Sequence, residues 1–468
     1  MRGAATFANS VAVFLVSVTA GLTVAVPVED SRPISRSQLT SRQETTTPWT
    51  GPRYVDYGRC TKDTPSKIYT GCDSEPVTQP LDRKRKVAYW SAYDAVNPDY
   101  DDPFDPTLLD DLTHLILFSV NMSAFEDNKP LTWTHSEWKF PTDIFKIARD
   151  KGISVSAAFG GWDMDQQYKR MNTSMDGELM GNRIAKFAMD NNLDGIDLDH
   201  EYPYENQKDA WIAMIETIKL NAPDKTLSVA VPAVPVYEPA EDAPPKQKVL
   251  DGYRAMLKQV EPKIDFINLM TYDMINRDNG GRLASHHSSL EGFQRTIDAY
   301  EAMGVEKYKM NLGFANYAKW FSVADDKCDQ PGHLGLNCTL ATPLTEVNSG
   351  AFRFRYLMNF QPEYNRTGEG LQEWNKKWTS FNATIGIEIT EKIDATYNST
   401  AMANSAYDDV AELFWTWQSP FAVTESCKAL RDTGIGGVMN YGLGQDTVDK
   451  VHHDALFKHC VGDWNKGL

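Results

Sequence analysis

The segment Leu193-Asp194-Gly195-Ile196-Asp197-Leu198-Asp199-His200-Glu201-Tyr202-Pro203 alternates apolar and acidic side chains and stops at a proline. Successive side chains of a strand point to opposite faces, so Asp197, Asp199 and Glu201, spaced by two, share one face of a strand ending near Pro203. A loop could carry three acids as well, but the Ile196/Leu198 alternation favours the strand. Three neighbouring carboxylates cannot all ionise freely, so at least one pKa must rise. A solvated acidic loop or a calcium site competes with this reading. The calcium reading is the weaker, because an EF-hand loop needs a glycine in mid-loop and a glutamate at its twelfth position. A carboxyl of raised pKa beside an ionised one is the pairing that acid catalysis uses.

Outward from this strand the chain repeats one pattern. Short apolar runs stand at Val87–Trp90, Leu115–Val120, Ile153–Phe159, Leu193–Glu201, Leu227–Pro232, Ile264–Tyr272, Met310–Phe314 and Gly436–Asn440. Helical faces lie between them: Trp211, Met214, Ile215 and Ile218; then Tyr253, Met256, Leu257 and Val260; then Phe293, Ile297 and Tyr300. Val448 and Val451 open a helix after the last run. Eight strands each followed by a helix predict an α/β fold, a (β/α)8 TIM barrel. A doubly wound open sheet is the alternative, but it wants a glycine-rich phosphate turn after a strand, and the chain offers none. More than a hundred residues separate Phe314 from Gly436, too many for one connection. Residues 322–405 therefore read as a small α+β domain inserted between the seventh strand and the last helix/strand unit. Residues 83–321 and 406–468 are left as the two parts of the barrel, and the insert is placed to wall a cleft at the C-terminal rim.

The composition narrows the partners. The chain has 468 residues, 41% hydrophobic, with a net charge of -17. Nucleic acid and anionic membranes are poor partners for such a charge, and a neutral substrate suits it. Met1-Arg2, the apolar Val11–Val16 run and the small residues up to Ala25 predict a signal peptide over 1–25 and a secreted, extracellular protein. Residues 26–82 read as a linker or pro-region with a possible small disulfide loop. Six cysteines allow three bridges, and local pairing would join Cys60 with Cys72, Cys328 with Cys338 and Cys427 with Cys460. None forms a CxxC pair, so zinc is not expected, nor is any other metal or cofactor. Sequons at Asn121, Asn172, Asn337, Asn365, Asn382 and Asn398 suit a glycoprotein. The N-terminal apolar run is too short for a comfortable membrane anchor, the absence of an apolar C-terminal tail argues against a lipid anchor, and a monomer is the default expectation. Arg83-Lys84-Arg85-Lys86 reads as a solvated charge run leading into the first strand, with a dibasic processing site as the alternative.

A barrel of this kind draws its chemistry from the C-terminal ends of its strands. Those ends carry Tyr89-Trp90, Gly160-Gly161-Trp162, the acid triplet, Met270-Thr271-Tyr272-Asp273 and Asn440-Tyr441. Aromatic faces beside carboxylates suit a sugar, whose ring presents apolar C–H faces and whose hydroxyls need polar partners.

Asp194-Gly195-Ile196-Asp197-Leu198-Asp199-His200-Glu201 resembles the DGxDxDxE motif of glycoside hydrolase family 18, the chitinases. Phe159-Gly160-Gly161-Trp162 is similar to the family's SxGGW, and Met270-Thr271-Tyr272-Asp273 to its MxYD. Gly313-Phe314-Ala315-Asn316-Tyr317 and Gly436-Gly437-Val438-Met439 resemble its seventh and last strands. Trp415-Thr416-Trp417-Gln418-Ser419-Pro420 and Met274-Ile275-Asn276-Arg277-Asp278 look like stretches of secreted fungal members. The resemblance runs from about Lys86 to Asp446, with its motifs in barrel order.

It implies retaining, substrate-assisted hydrolysis of β-1,4-linked N-acetylglucosamine, with chitin or its oligosaccharides as partner. Glu201 would protonate the leaving oxygen, Asp199 would share a proton with Asp197 and then hold the acetamido N–H, and Tyr272 would bind the acetamido carbonyl. Met270 and Asp273 would line that subsite, with Tyr89, Gly161, Trp162 and Tyr441 as further substrate-binding positions. A chitooligosaccharide-binding, lectin-like protein and an endo-β-N-acetylglucosaminidase acting on glycans are the alternatives. Three positions depart from the family. Ala158 stands where the family has Ser, which removes a hydroxyl donor to Asp197 and leaves Tyr89. Tyr441 replaces the Trp that commonly floors the cleavage subsite, and His200 replaces a usual Trp and points toward the helix layer.

Overall fold

The computed structural model describes residues 75–79, 84–91, 105–122, 131–133, 143–162, 167–234, 246–275, 283–324, 328, 335–345, 347–356, 369–386 and 396–461. The expected signal peptide, the Cys60/Cys72 loop, Asn365 and Asn276-Arg277-Asp278 lie outside these residues.

The strands, in chain order, are β1 (Arg85–Ser91), β2 (His114–Asn121), a two-residue β3 (Thr132–Trp133), β4 (Ser154–Gly160), β5 (Gly195–Asp199), β6 (Thr226–Pro232), β7 (Phe266–Met270) and β8 (Met310–Ala315). After them come β9 (Tyr317–Ser322), β10 (Ser349–Arg353), β11 (Tyr397–Asn398), β12 (Ala403–Asp408), β13 (Leu413–Trp417) and β14 (Gly437–Tyr441). Parallel pairing runs β1-β14-β8-β7-β6-β5-β4-β2, and β2 pairs back onto β1, so eight strands close a barrel. All eight expected strands are there, and their alternation sorts the side chains. Ala88, Trp90, Leu115, Leu117, Val155 and Phe159 face the helices, whereas Val87, Tyr89, Ile116, Ala158, Phe266 and Met439 fill the interior.

The α-helices among the described residues are α1 (Ile144–Asp150), α2 (Ser174–Asp190), α3 (Lys208–Asn221), α4 (Lys246–Val260), α5 (Leu290–Ala302), α6 (Glu369–Phe381), α7 (Pro420–Leu430) and α8 (Val451–His453). Their starts follow local chemistry. Thr173 and Asp176 form a capping box on α2, Ser289 caps α5, and Ser419 caps α7 with Pro420 at its first position. The faces read from periodicity are buried: Trp211, Met214, Ile215 and Ile218 on α3, Tyr253 and Met256 on α4, Phe293 and Ile297 on α5. Two details differ from the expected one-helix-per-strand pattern. Between β1 and β2 the described residues hold a 3-10 turn, Pro106–Leu109, and Val448 is exposed, with the last helix starting only at Val451.

A second, antiparallel sheet, β10-β9-β13-β12-β11, packs Trp320, Phe352, Phe354, Trp415 and Trp417 against Trp374 and Phe381 of α6. It takes in residues 317–321 and 406–417, which the sequence reading gave to the barrel. The reason is continuity: β9 follows β8 after one residue, Asn316, and one of its two partners, β13, lies almost a hundred residues further on. Disulfides join Cys328 to Cys338 and Cys427 to Cys460. Arg83 of the basic run lies outside the described residues, and the second half of the run is not a solvated face. Arg85 is 1% exposed and Lys86 largely buried, because both already belong to β1 and Arg85 points into the barrel.

The start of β5 is fixed from outside. Arg149 of α1 pairs with Asp194 Oδ1 at 2.9 Å, while Asp194 Oδ2 accepts the Val155 N–H at 2.7 Å. The end of β5 is held by β4. Gly160 has φ +113°, and a Cβ there would stand 2.2 Å from the Asp199 carbonyl oxygen, so only glycine fits. That carbonyl accepts the Gly161 N–H at 2.8 Å. The strand that carries the acids is therefore pinned at both ends.

Candidate active site

A cavity of about 640 Å³ opens at the C-terminal ends of the barrel strands. Asp199, Glu201, Tyr89, Trp162, Met270, Tyr272, Asp273 and Tyr441 line it. Of the acid triplet, only Asp199 and Glu201 reach this space. Asp197 lies one step deeper, fully buried. Glu201 sits just past the last residue of β5, so the strand presents two acids and the following turn the third. Gly161 contributes backbone rather than wall: it holds the Asp199 carbonyl, and a Cβ on it would strike the Phe118 ring. Trp162 stands at the rim, 52% exposed, with its indole available to a ligand.

Asp197 has more partners than the sequence suggested. Its Oδ2 accepts from the Tyr89 hydroxyl at 2.7 Å, and its Oδ1 from the Ser228 hydroxyl and from Asn268 Nδ2 at 3.2 Å. The expected shortage of donors at Ala158 is thus corrected by Ser228. In the sheet Asp197 is flanked by Ala158 of β4 on one side and Ser228 of β6 on the other, so the hydroxyl comes from the opposite neighbour. Burial pushes the Asp197 carboxyl up to about 6, against the pull of the three donors.

Rings make up the floor. Tyr441 stacks on Tyr272 with centroids 6.0 Å apart and meets Phe118 at 5.7 Å and Tyr89 at 6.0 Å. Burial, then the nearby Tyr441 and carboxyls, hold the Tyr272 phenol well above its ordinary range, so it remains a hydrogen-bond donor. The Tyr202 hydroxyl is hydrogen-bonded to Glu201. Asp273 accepts from Tyr317 at 3.0 Å and from Lys319 Nζ at 3.1 Å. Burial alone would raise Asp273, but the Lys319 charge and His287 outweigh it and keep the carboxyl below its usual range. His200 faces the helix layer: Trp211 Nε1 donates to its Nδ1 at 2.9 Å, Tyr168 stacks on it at 4.7 Å, and burial keeps it neutral.

Phe118, Tyr202, Tyr317, Lys319, Ser228 and Asn268 were not read as site residues from the sequence. Tyr317 closes the quoted seventh-strand stretch, and Lys319 follows it at spacing two, a signal that was available. Ser228 and Asn268 gave none, because each is a small polar residue in an apolar strand and its partner comes from another strand.

A closed (β/α)8 barrel with carboxylates and aromatic rings at one rim defines the class. The sequence profile described as Glycosyl hydrolases family 18 matches residues 85–446, and the chain belongs to that family. Among curated relatives, the secreted chitinase LysM12 of Penicillium expansum is 27% identical over 203 residues, 37% of this chain and 12% of that protein. Chitinase B of Serratia marcescens is 24% identical over 377 residues, covering 69% of this chain and 71% of that one. A Rhizomucor miehei chitinase structure superposes with a TM-score of 0.59 at 16% identity, over 82% of this chain and 100% of that chain. The chain spans 12–23% of the length of the first curated relatives it matches.

Proposed function

We propose that the protein is a secreted chitinase that cleaves β-1,4 linkages between N-acetylglucosamine residues with retention of anomeric configuration. The observation that carries this reading is the division of the acid ladder: Asp199 and Glu201 open on the cavity beside Tyr272, while Asp197 lies beneath them, its carboxyl pushed up to about 6 by burial. Glu201 gives its proton to the leaving glycosidic oxygen. The substrate's own acetamido oxygen attacks the anomeric carbon, so the bond to the leaving sugar breaks as an oxazolinium ring closes. Asp199 accepts the acetamido N–H and faces the developing positive charge, and Asp197 takes up the proton the two share. The Tyr272 hydroxyl holds the acetamido group. Water then opens the ring, returning a proton to Glu201. The stacked Tyr441 and Tyr272 rings supply an apolar bed for a sugar face, and Trp162 extends it at the rim. Two disulfides support an oxidising, extracellular destination.

The test is incubation of the parent and Glu201→Gln with chitin tetramer and pentamer. The parent should release shorter sugars, and the variant should lose about 10²–10⁴ in rate while still binding. A parent that binds the oligomers but releases nothing at any acid or neutral pH is a lectin, and the hydrolase reading fails.

A further inference from the structure

From Arg85 at the base of the barrel a single file of hydrogen bonds climbs to the acid ladder. Arg85 Nε donates to Asn311 Oδ1 at 2.8 Å, and Asn311 Nδ2 donates to Asn268 Oδ1 at 2.9 Å. Asn268 Nδ2 in turn donates to the Tyr89 hydroxyl at 2.9 Å and to Asp197 Oδ1 at 3.2 Å. Every link is buried: Arg85 is 1% exposed, and Asn268, Asn311 and Asp197 are fully enclosed. The sheet leaves room for the first link by having glycine between the strands. A Cβ on Gly437 would stand 2.8 Å from both Arg85 Cβ and Asn311 Oδ1.

A carboxamide can face either way, so the direction of such a file is set at its ends. A guanidinium only donates and a carboxylate only accepts. We infer that Arg85 and Asn311 are positioning residues for Asp197: they lock the Asn268 amide with its NH2 group toward the carboxylate. With the donor locked, Asp197 carries the negative charge of the resting pair while Asp199 keeps the shared proton, and takes that proton up when Asp199 turns to the substrate. The inference rests on the proposed role of that acid pair.

The surroundings support a single source of polarity. The titratable and charged groups near Arg85 are His114, Asp265, Tyr308 and Lys84. Burial, assisted by Arg85, holds His114 down at about 3, so it does not compete as a cation. Around Asp197 stand Tyr89 and Asp199, together with the non-titrating Ser228 and Asn268.

Replacing Arg85 by Gln puts both a donor and an acceptor at the base and frees the two amides to turn. One donor to Asp197 is then lost, and its titration should move up by about one pH unit. Asn311→Ala cuts the file in the middle and should do the same. Arg85→Lys keeps a donor-only terminus and should titrate with the parent. The measurement is carboxyl-carbon NMR of aspartate-labelled protein, with the Asp197 resonance assigned by its loss in Asp197→Asn. It needs no turnover, so a parent that cleaves nothing sinks the hydrolase reading alone and leaves this result standing. An upward shift in Arg85→Gln and Asn311→Ala, absent in Arg85→Lys, supports the relay. If either broken variant is less heat-stable yet titrates with the parent, Arg85 is structural only and the inference is overturned. Should Arg85→Gln fail to fold, Asn311→Ala decides alone.

Discussion

Asp197 is a fully buried carboxyl, and keeping it ionised carries an energetic cost. Its folded midpoint of about 6 lies above the ordinary 3.8, so the folded protein binds this proton more firmly than the unfolded chain. The sign follows from linkage: between about pH 4 and 6 stability falls as pH rises, and above that window the ionised group costs about 3 kcal/mol. In urea titrations, the stability of Asp197→Asn relative to the parent should therefore improve across that window and then level off. A difference that does not change with pH would contradict the assignment. The donors to Asp197 make a second prediction. Ser228→Ala should move the acid limb of the pH–rate profile up by about one unit, because a hydrogen bond to the charged form is lost. Ala158→Ser should leave the profile nearly unchanged, since the hydroxyl already arrives from β6.

At the scale of elements, the barrel strands were legible because each is a short apolar run that a parallel sheet buries on both faces. Leu115–Val120 and Leu227–Pro232 needed no partner information to be found. The basic run was misread for the opposite reason: Arg85 looks like a surface residue until the strand register turns it inward onto Asn311. The second sheet was only half legible. Its aromatic content was plain, but β9 joins β8 through one residue, and a pairing between β9 and β13 leaves no local mark. The last helical turns are tied down by the Cys427–Cys460 bridge between α7 and the π-helical segment Asp454–Cys460. Its sequence separation of 33 makes the loss in Cys427→Ser/Cys460→Ser about 3–4 kcal/mol on chain-entropy grounds. Thermal denaturation with and without reductant checks this; a parent whose midpoint ignores reductant speaks against a stabilising bridge.

At the scale of the molecule, two sheets share one cavity. The barrel supplies the acids and the ring floor, and β9 and β10 add Lys319, Phe321 and the Ser349–Ala351 edge to the wall. The acid ladder was readable from spacing alone as a cluster of raised pKa; the ordered roles came with the family resemblance, and what the sequence did not give is the depth, with Asp197 buried beneath Asp199 and Glu201. The central proposal is that the nucleophile belongs to the substrate, with Glu201 as the proposed proton donor and Asp199 serving the acetamido group. The most direct measurement compares N-acetylglucosamine pentamer with its fully de-N-acetylated counterpart, following the first-formed anomer by proton NMR. The account predicts cleavage of the acetylated sugar with the β-anomer appearing first, and no cleavage of the other. Hydrolysis of the de-N-acetylated pentamer, or an α-anomer as first product, would contradict it.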